Sequence, residues 1–181
     1  MPRSKTLPPA AAARKRKYDL LTRRGYIALG LRLICIAAAV WLVFGQVFLL
    51  HRVQGQGMFP AVKDGDLVLA YRLQRDYGKG DVVVYRLDGK LHVGRIGAMG
   101  TDVVEIDSDG ALTVNGNPQN GQILYPTYPR ESMEYPLRVQ EGMAFLLGDY
   151  RTQTRDSRDF GPIPLDDIQG KVITLVRRRG L

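Results

Sequence analysis

A chain of 181 residues is long enough for one ordinary domain and an additional segment, and its formal charge of +8 first suggests a nucleic-acid partner. The distribution of that charge excludes one: residues 1–24 carry eight Lys and Arg against Asp19 alone, whereas residues 51–181 carry 17 basic and 17 acidic side chains. The larger part is electroneutral and has no footprint for phosphate.

The predicted elements, in chain order, begin with a basic cytoplasmic tail over residues 1–24, in which "PRSKTLPPAAAA" reads as disordered. The run "LICIAAAVWLVFGQVFLL", Leu33 to Leu50, holds Gln46 as its only strongly polar side chain. It is about the length needed to cross a hydrocarbon core of roughly 30 Å. Extended back through "GYIALGL", with Arg32 snorkelling to the interface, it predicts a transmembrane helix over residues 25–51. Basic residues on its N-terminal side place the tail in the cytoplasm and residues 52–181 outside the cell membrane. A cleaved signal peptide shares this pattern, but its apolar core is usually shorter, and "HRVQGQG" lacks a small-x-small cleavage site. Cys35, the single cysteine, lies in the apolar run, so no intramolecular disulfide forms.

Beyond residue 51 the pattern changes to short runs rich in Val, Ile, Leu and aromatics: "DLVLAYRL", "DVVVYRL", "LHVGRI", "DVVEI", "ALTV", "MAFLLG" and "KVITLV". "KDGD", "YGKGD", "LDGK", "DSDG" and "NGNPQNG" separate them and supply turn conformations. These features predict an all-β domain, an antiparallel coiled sheet or barrel, with hairpins turning at Asp88-Gly89 and Asp109-Gly110. On the strand after the first turn, His92 and Gly94 share a face.

The most informative stretch is "GDYRTQTRDSRDFGPIP", residues 148–164. Alone it would read as a solvated charge run. Together with "QGMFP", "KDGDLVL", "KGDVVVY" and "VNGNP" in this order, it resembles the type I signal peptidases, membrane-anchored serine proteases that remove signal peptides from exported proteins. The resemblance runs from the basic tail to Val176. In that family a box of the form Ser-Met-x-Pro carries the nucleophile; Met58 and Pro60 match it, and the serine position is Gly57. A second box carries a lysine general base. "VGRIGAMGTDVVEI" matches it at Arg95, Asp102 and Glu105, and the lysine position is Gly94. In the closing box Gly148, Asp149, Arg151, Asp156, Ser157 and Arg158 fall in register, while Thr154 stands where the family has a serine that positions the lysine and Tyr150 where it has asparagine.

Ser–Lys hydrolysis needs an oxygen nucleophile and an amine of lowered pKa. Glycine supplies neither, and loss of one member of such a unit already removes most catalysis. The backbone N–H of Gly57 is still a candidate oxyanion donor. The resemblance therefore implies a membrane protein that binds exported precursors, signal peptides or pilins, as an added β-strand. It implies no covalent turnover, no cofactor and no metal, with membrane lipid and no nucleic acid as further surroundings. Homologues lacking the dyad accompany pilus assembly, which extends the reading to that role. Two alternatives stay open: an active serine-type endopeptidase using other residues, with His92 as substitute base, and a purely structural membrane-linked β domain.

Overall fold

The computed structural model describes residues 9–119 and 123–177, with side chains from residue 22 onward. The chain divides into two compact units at Gly45/Gln46.

The first unit is dominated by helix α1, Pro9–Val47. Residues 9–13 are thus helical rather than disordered: four consecutive alanines are the strongest helix formers, and a proline in the first turn loses no hydrogen bond. The rest of the predicted disordered stretch lies outside the described residues. Thr22–Val47, 26 residues with a mean hydropathy of 2.4, is long and apolar enough to cross a membrane. Cys35 is exposed on this helix.

The second unit is antiparallel β structure. Its strands are β1 Phe48–Arg52, β2 Leu67–Tyr71, β3 Val82–Leu87, β4 Lys90–Met99, β5 Val103–Ile106, β6 Leu112–Val114, β7 Asn117–Pro118, β8 Leu137–Arg138, β9 Met143–Leu147, β10 Ile163–Pro164 and β11 Ile168–Val176. A seven-stranded sheet runs β1-β2-β11-β3-β4-β9-β10, and a four-stranded sheet runs β7-β6-β5-β8. The seven runs read as strands in the sequence are β2, β3, β4, β5, β6, β9 and β11. One boundary differs. Phe48–Leu50, assigned to the end of the apolar span, leave the helix and pair with Leu69–Tyr71 of β2, so their backbone groups are satisfied across a ladder instead of along a helix.

Continuous apolar runs in β3 and β9 follow from burial on both faces. Val83 and Tyr85 join one core cluster with Ala144 and Leu146 of β9. Val84 faces a second cluster with Val68 and Ala70, and Phe145 and Leu147 enter a third with Val104, Leu112 and Val114 of the smaller sheet. The β3–β4 hairpin turns in two residues, with Leu87 opposite Lys90 and Asp88 and Gly89 at φ of 50° and 75°. That is the left-handed pair which matches strand twist. The second hairpin has a longer loop: Ile106 pairs Leu112, and the Asp107 carboxylate accepts from the N–H groups of Asp109 and Ala111 at 3.0 and 2.8 Å.

Candidate functional site

After β9 the chain enters residues 148–160, which are organised around one carboxylate. Asp156 caps the four-residue helix α2, Ser157–Phe160, in a reciprocal arrangement with Asp159. Its Oδ1 accepts from Arg158 Nε at 2.9 Å and its Oδ2 from Arg158 Nη2 at 2.9 Å. Oδ2 also accepts from the Gly148 N–H at 3.1 Å. Arg158 is fully buried, and it spends its remaining donors on the carbonyls of Tyr128 at 3.0 Å and Arg151 at 2.5 Å. Such a bidentate pair tolerates burial because all its polar atoms have partners. Ser157 Oγ accepts from the Leu146 N–H at 2.9 Å, tying α2 to β9.

Two further arginines fix the loop to its surroundings. Arg95 on β4 grips Asp149 through Nε–Oδ1 at 2.8 Å and Nη2–Oδ2 at 2.7 Å, and this bond holds the Arg95 pKa above its ordinary value. Arg151 donates to the Gly148 carbonyl at 2.8 Å and to Thr127 Oγ1 at 2.6 Å. Burial without an ion pair lowers its pKa to about 10. Met58 is 2% exposed in the core, where it packs with Val53 and Val84. Pro60 lines a cavity of about 390 Å³ together with Arg95 and Asp149. The Tyr150 N–H donates to the Gly57 carbonyl at 3.0 Å, and its ring lies between Phe59 and Tyr125 at centroid distances of 5.9 and 4.6 Å. Met58, Pro60, Arg95, Gly148, Asp149, Arg151, Thr154, Asp156, Ser157 and Arg158 therefore belong to one connected neighbourhood.

Gly57 and Gly94 lie in that neighbourhood, and the space beside each is taken. A Cβ at Gly57 would lie 2.7 Å from Thr154 Oγ1. A Cβ at Gly94 would lie 3.1 Å from Tyr85 Cε1 and 3.6 Å from Leu146 Cβ. Gly148 is closed by Thr154 and by the Gly57 carbonyl, which would stand 2.6 Å from its Cβ. Tyr85 reaches Gly94 because the hairpin register sets it opposite His92, with ring centroids 5.6 Å apart. Burial first, then the Asp156 charge, pushes its phenol up to about 12. Gly57, Thr154, Tyr85 and His92 all line one cavity of about 830 Å³. The His92 pKa is lowered, chiefly by partial burial and then by the Arg155 charge, so its imidazole is neutral at pH 7. Among the described residues no group of three His, Cys, Asp or Glu is placed to hold a metal.

This arrangement has relatives. The sequence profile of the family described as "Signal peptidase, peptidase S26" matches residues 26–176. The chain belongs to the signal peptidase family. It is 29% identical over 155 residues to a protein named signal peptidase I from Bacillus caldolyticus, covering 77% of this chain and 83% of the relative. It is likewise 29% identical over 160 residues to signal peptidase IB of Staphylococcus aureus, with the same coverages. Thylakoidal processing peptidase 1 of Arabidopsis thaliana is 28% identical over 140 residues, 67% of this chain but 39% of that longer protein. A crystal structure of a signal peptidase I from Enterococcus faecalis aligns with a TM-score of 0.44 at 26% identity, covering 55% of this chain and 97% of that one.

Within this signal peptidase family member, the sequence reading missed Tyr85. The signal was present: a two-residue turn at Asp88-Gly89 puts 85 opposite 92 and 83 opposite 94, so an aromatic at 85 neighbours both positions on one sheet face. His51, Lys90 and Arg155 were missed as lining residues of the cavity, and no local signal joins such separated segments.

Proposed function

We propose that this signal peptidase family member is anchored by α1 with its basic tail in the cytoplasm. Residues 52–181 then bind exported precursor polypeptide at the outer membrane face without serine–lysine hydrolysis. Signal peptides and pilin precursors are the client class, and assistance in pilus assembly is the corresponding role. The observation that carries the reading is the filling of both vacated positions: the Thr154 hydroxyl stands at Gly57 and the Tyr85 ring at Gly94. A phenol pushed up to about 12 is protonated at neutral pH, so it cannot replace a lysine base. The charged framework of Arg95–Asp149 and Arg158–Asp156 is kept around this plugged centre. Among the described residues β1 has a neighbour on one side only, which leaves a sheet edge able to take a polypeptide through main-chain hydrogen bonds.

One observation favours hydrolysis by other residues: the Thr154 hydroxyl lies in the nucleophile's space, and a neutral His92 lines the same cavity. The deciding experiment incubates purified full-length protein with a signal-peptide substrate and follows both binding and cleavage. Binding with no cleavage is expected. Cleavage that disappears in Thr154→Ala would instead establish threonine-based hydrolysis, and absence of binding would leave a structural domain.

A further inference from the structure

The cavity at the plugged centre has a charge character of its own. It lies where the end of β1, the β3–β4 hairpin and the 153–155 loop approach one another. Besides Tyr85 and Thr154, its polar lining is His51, Gln54, Lys90, His92, Gln153 and Arg155, and no Asp or Glu among the described residues lines it. Nearby carboxylates are already engaged: Asp156 is held by Arg158 and the Gly148 N–H, and Asp64 accepts from the Gly55 N–H at 2.7 Å. Asp88 acts on His92 from the turn but does not line the cavity.

Lys90 and Arg155 are exposed, and neither has an ion pair among the described residues. Lys79, Arg95, Arg130, Arg158 and Lys171 of the same domain each have one. Because the domain is electroneutral, the two cations Lys90 and Arg155 facing one concavity with no acid are a local segregation of charge. Lys90, His92 and Gly94 alternate along one face of β4, so the Lys90 cation and the neutral His92 donor lie on the face that leads to the vacated lysine position.

The geometry points to a polypeptide ligand that carries a carboxylate side chain into this cavity, where Lys90 and Arg155 bind it and the glutamines and imidazoles supply further donors. This rests on the polypeptide-binding reading and adds its chemical class: an acidic residue beside the segment that lies along Gly57. A chain ligand is favoured over a lipid headgroup because the cations share their cavity with Gly57 and Thr154, the residues a bound segment would pass.

The test uses full-length protein in neutral-detergent micelles. The probes are synthetic peptides with an apolar stretch followed by Ala-Gln-Ala and four residues, in which each position after the apolar stretch is replaced in turn by Glu, Gln or Lys. Exposed ion pairs are worth up to a factor of about five each, so at one position Glu should bind about tenfold more tightly than Gln, and Lys more weakly than Gln. In Lys90→Gln with Arg155→Gln the Glu-to-Gln ratio should fall to about one. In Lys90→Glu with Arg155→Glu the preference should turn towards Lys, an outcome that misfolding cannot produce. Equal binding of the three peptides at every position overturns the inference while leaving polypeptide binding intact. Absence of binding by all peptides removes both. Loss of phosphatidylglycerol-vesicle binding in the Gln variant, with no peptide preference in the parent, overturns it in favour of a lipid headgroup.

Discussion

Thr154 and Tyr85 change what substitution at the two glycines can achieve. A serine at 57 must displace the Thr154 hydroxyl, and a lysine at 94 meets the Tyr85 ring at its first side-chain atom. Gly57→Ser with Gly94→Lys is therefore expected to remain inactive on a signal peptide and to lose about 1–3 kcal/mol through overpacking. Adding Tyr85→Ala and Thr154→Ala removes both the ring and the hydroxyl that fill the space and is expected to give measurable cleavage; cleavage by the double variant alone would show that neither side chain obstructs the centre. The two histidines set a pH dependence. Burial lowers both pKa values from 6.5, with His92 adding to the effect at His51 and Arg155 at His92. The unfolded chain then binds more protons than the folded one below 6.5, so stability falls as pH drops from 6.5 through the folded-state values. Thermal midpoints between pH 7.5 and 5 should show this fall, and His51→Gln with His92→Gln should flatten it.

At the scale of elements, α2 has only four residues and cannot persist on helix propensity, since isolated helices need several turns. Its stability comes from the Asp156 cap and from Arg158, both buried. Asp156→Ala would leave the guanidinium without its carboxylate and is expected to cost about 3–5 kcal/mol, read as a lowered urea midpoint. A midpoint unchanged within error would show that this box has no stabilising role. The β3–β4 hairpin makes a smaller claim. Gly89 sits at φ 75°, so Gly89→Ala should cost about 1 kcal/mol by the same measurement.

For the whole molecule the decisive boundary is the one between α1 and β1. Residues 46–181 form a compact unit that includes β1, and β1 covers the edge of β2 along five residue pairs. A protein beginning at residue 46 is expected to fold and remain soluble, whereas one beginning at 53 exposes the β2 edge and should self-associate in size-exclusion chromatography. In the intact protein, protease added outside protoplasts is expected to digest the β domain and spare the basic tail. Digestion of the tail would reverse the orientation and remove the proposed site of action.

Local chemistry explains what was legible. The runs from Leu67 to Val176 that became seven strands are continuous or alternating apolar segments, and the Asp88-Gly89 turn fixes a register that carries His92 and Gly94 to one face. The "RDSR" segment was legible as part of the closing box, but that Asp156 and Arg158 pair with each other on a capped turn came from the structure. Phe48–Leu50 were read as helix because apolarity does not distinguish the end of a span from an edge strand; the ladder with β2, a partner about twenty residues away, decided it. The sequence by itself determined that Gly57 and Gly94 carry no nucleophile and no base. Only the tertiary structure decided what stands in their place, because Thr154 and Tyr85 arrive from a distant loop and a neighbouring strand. Their rings and hydroxyls are positioned by packing between segments, which no local pattern encodes.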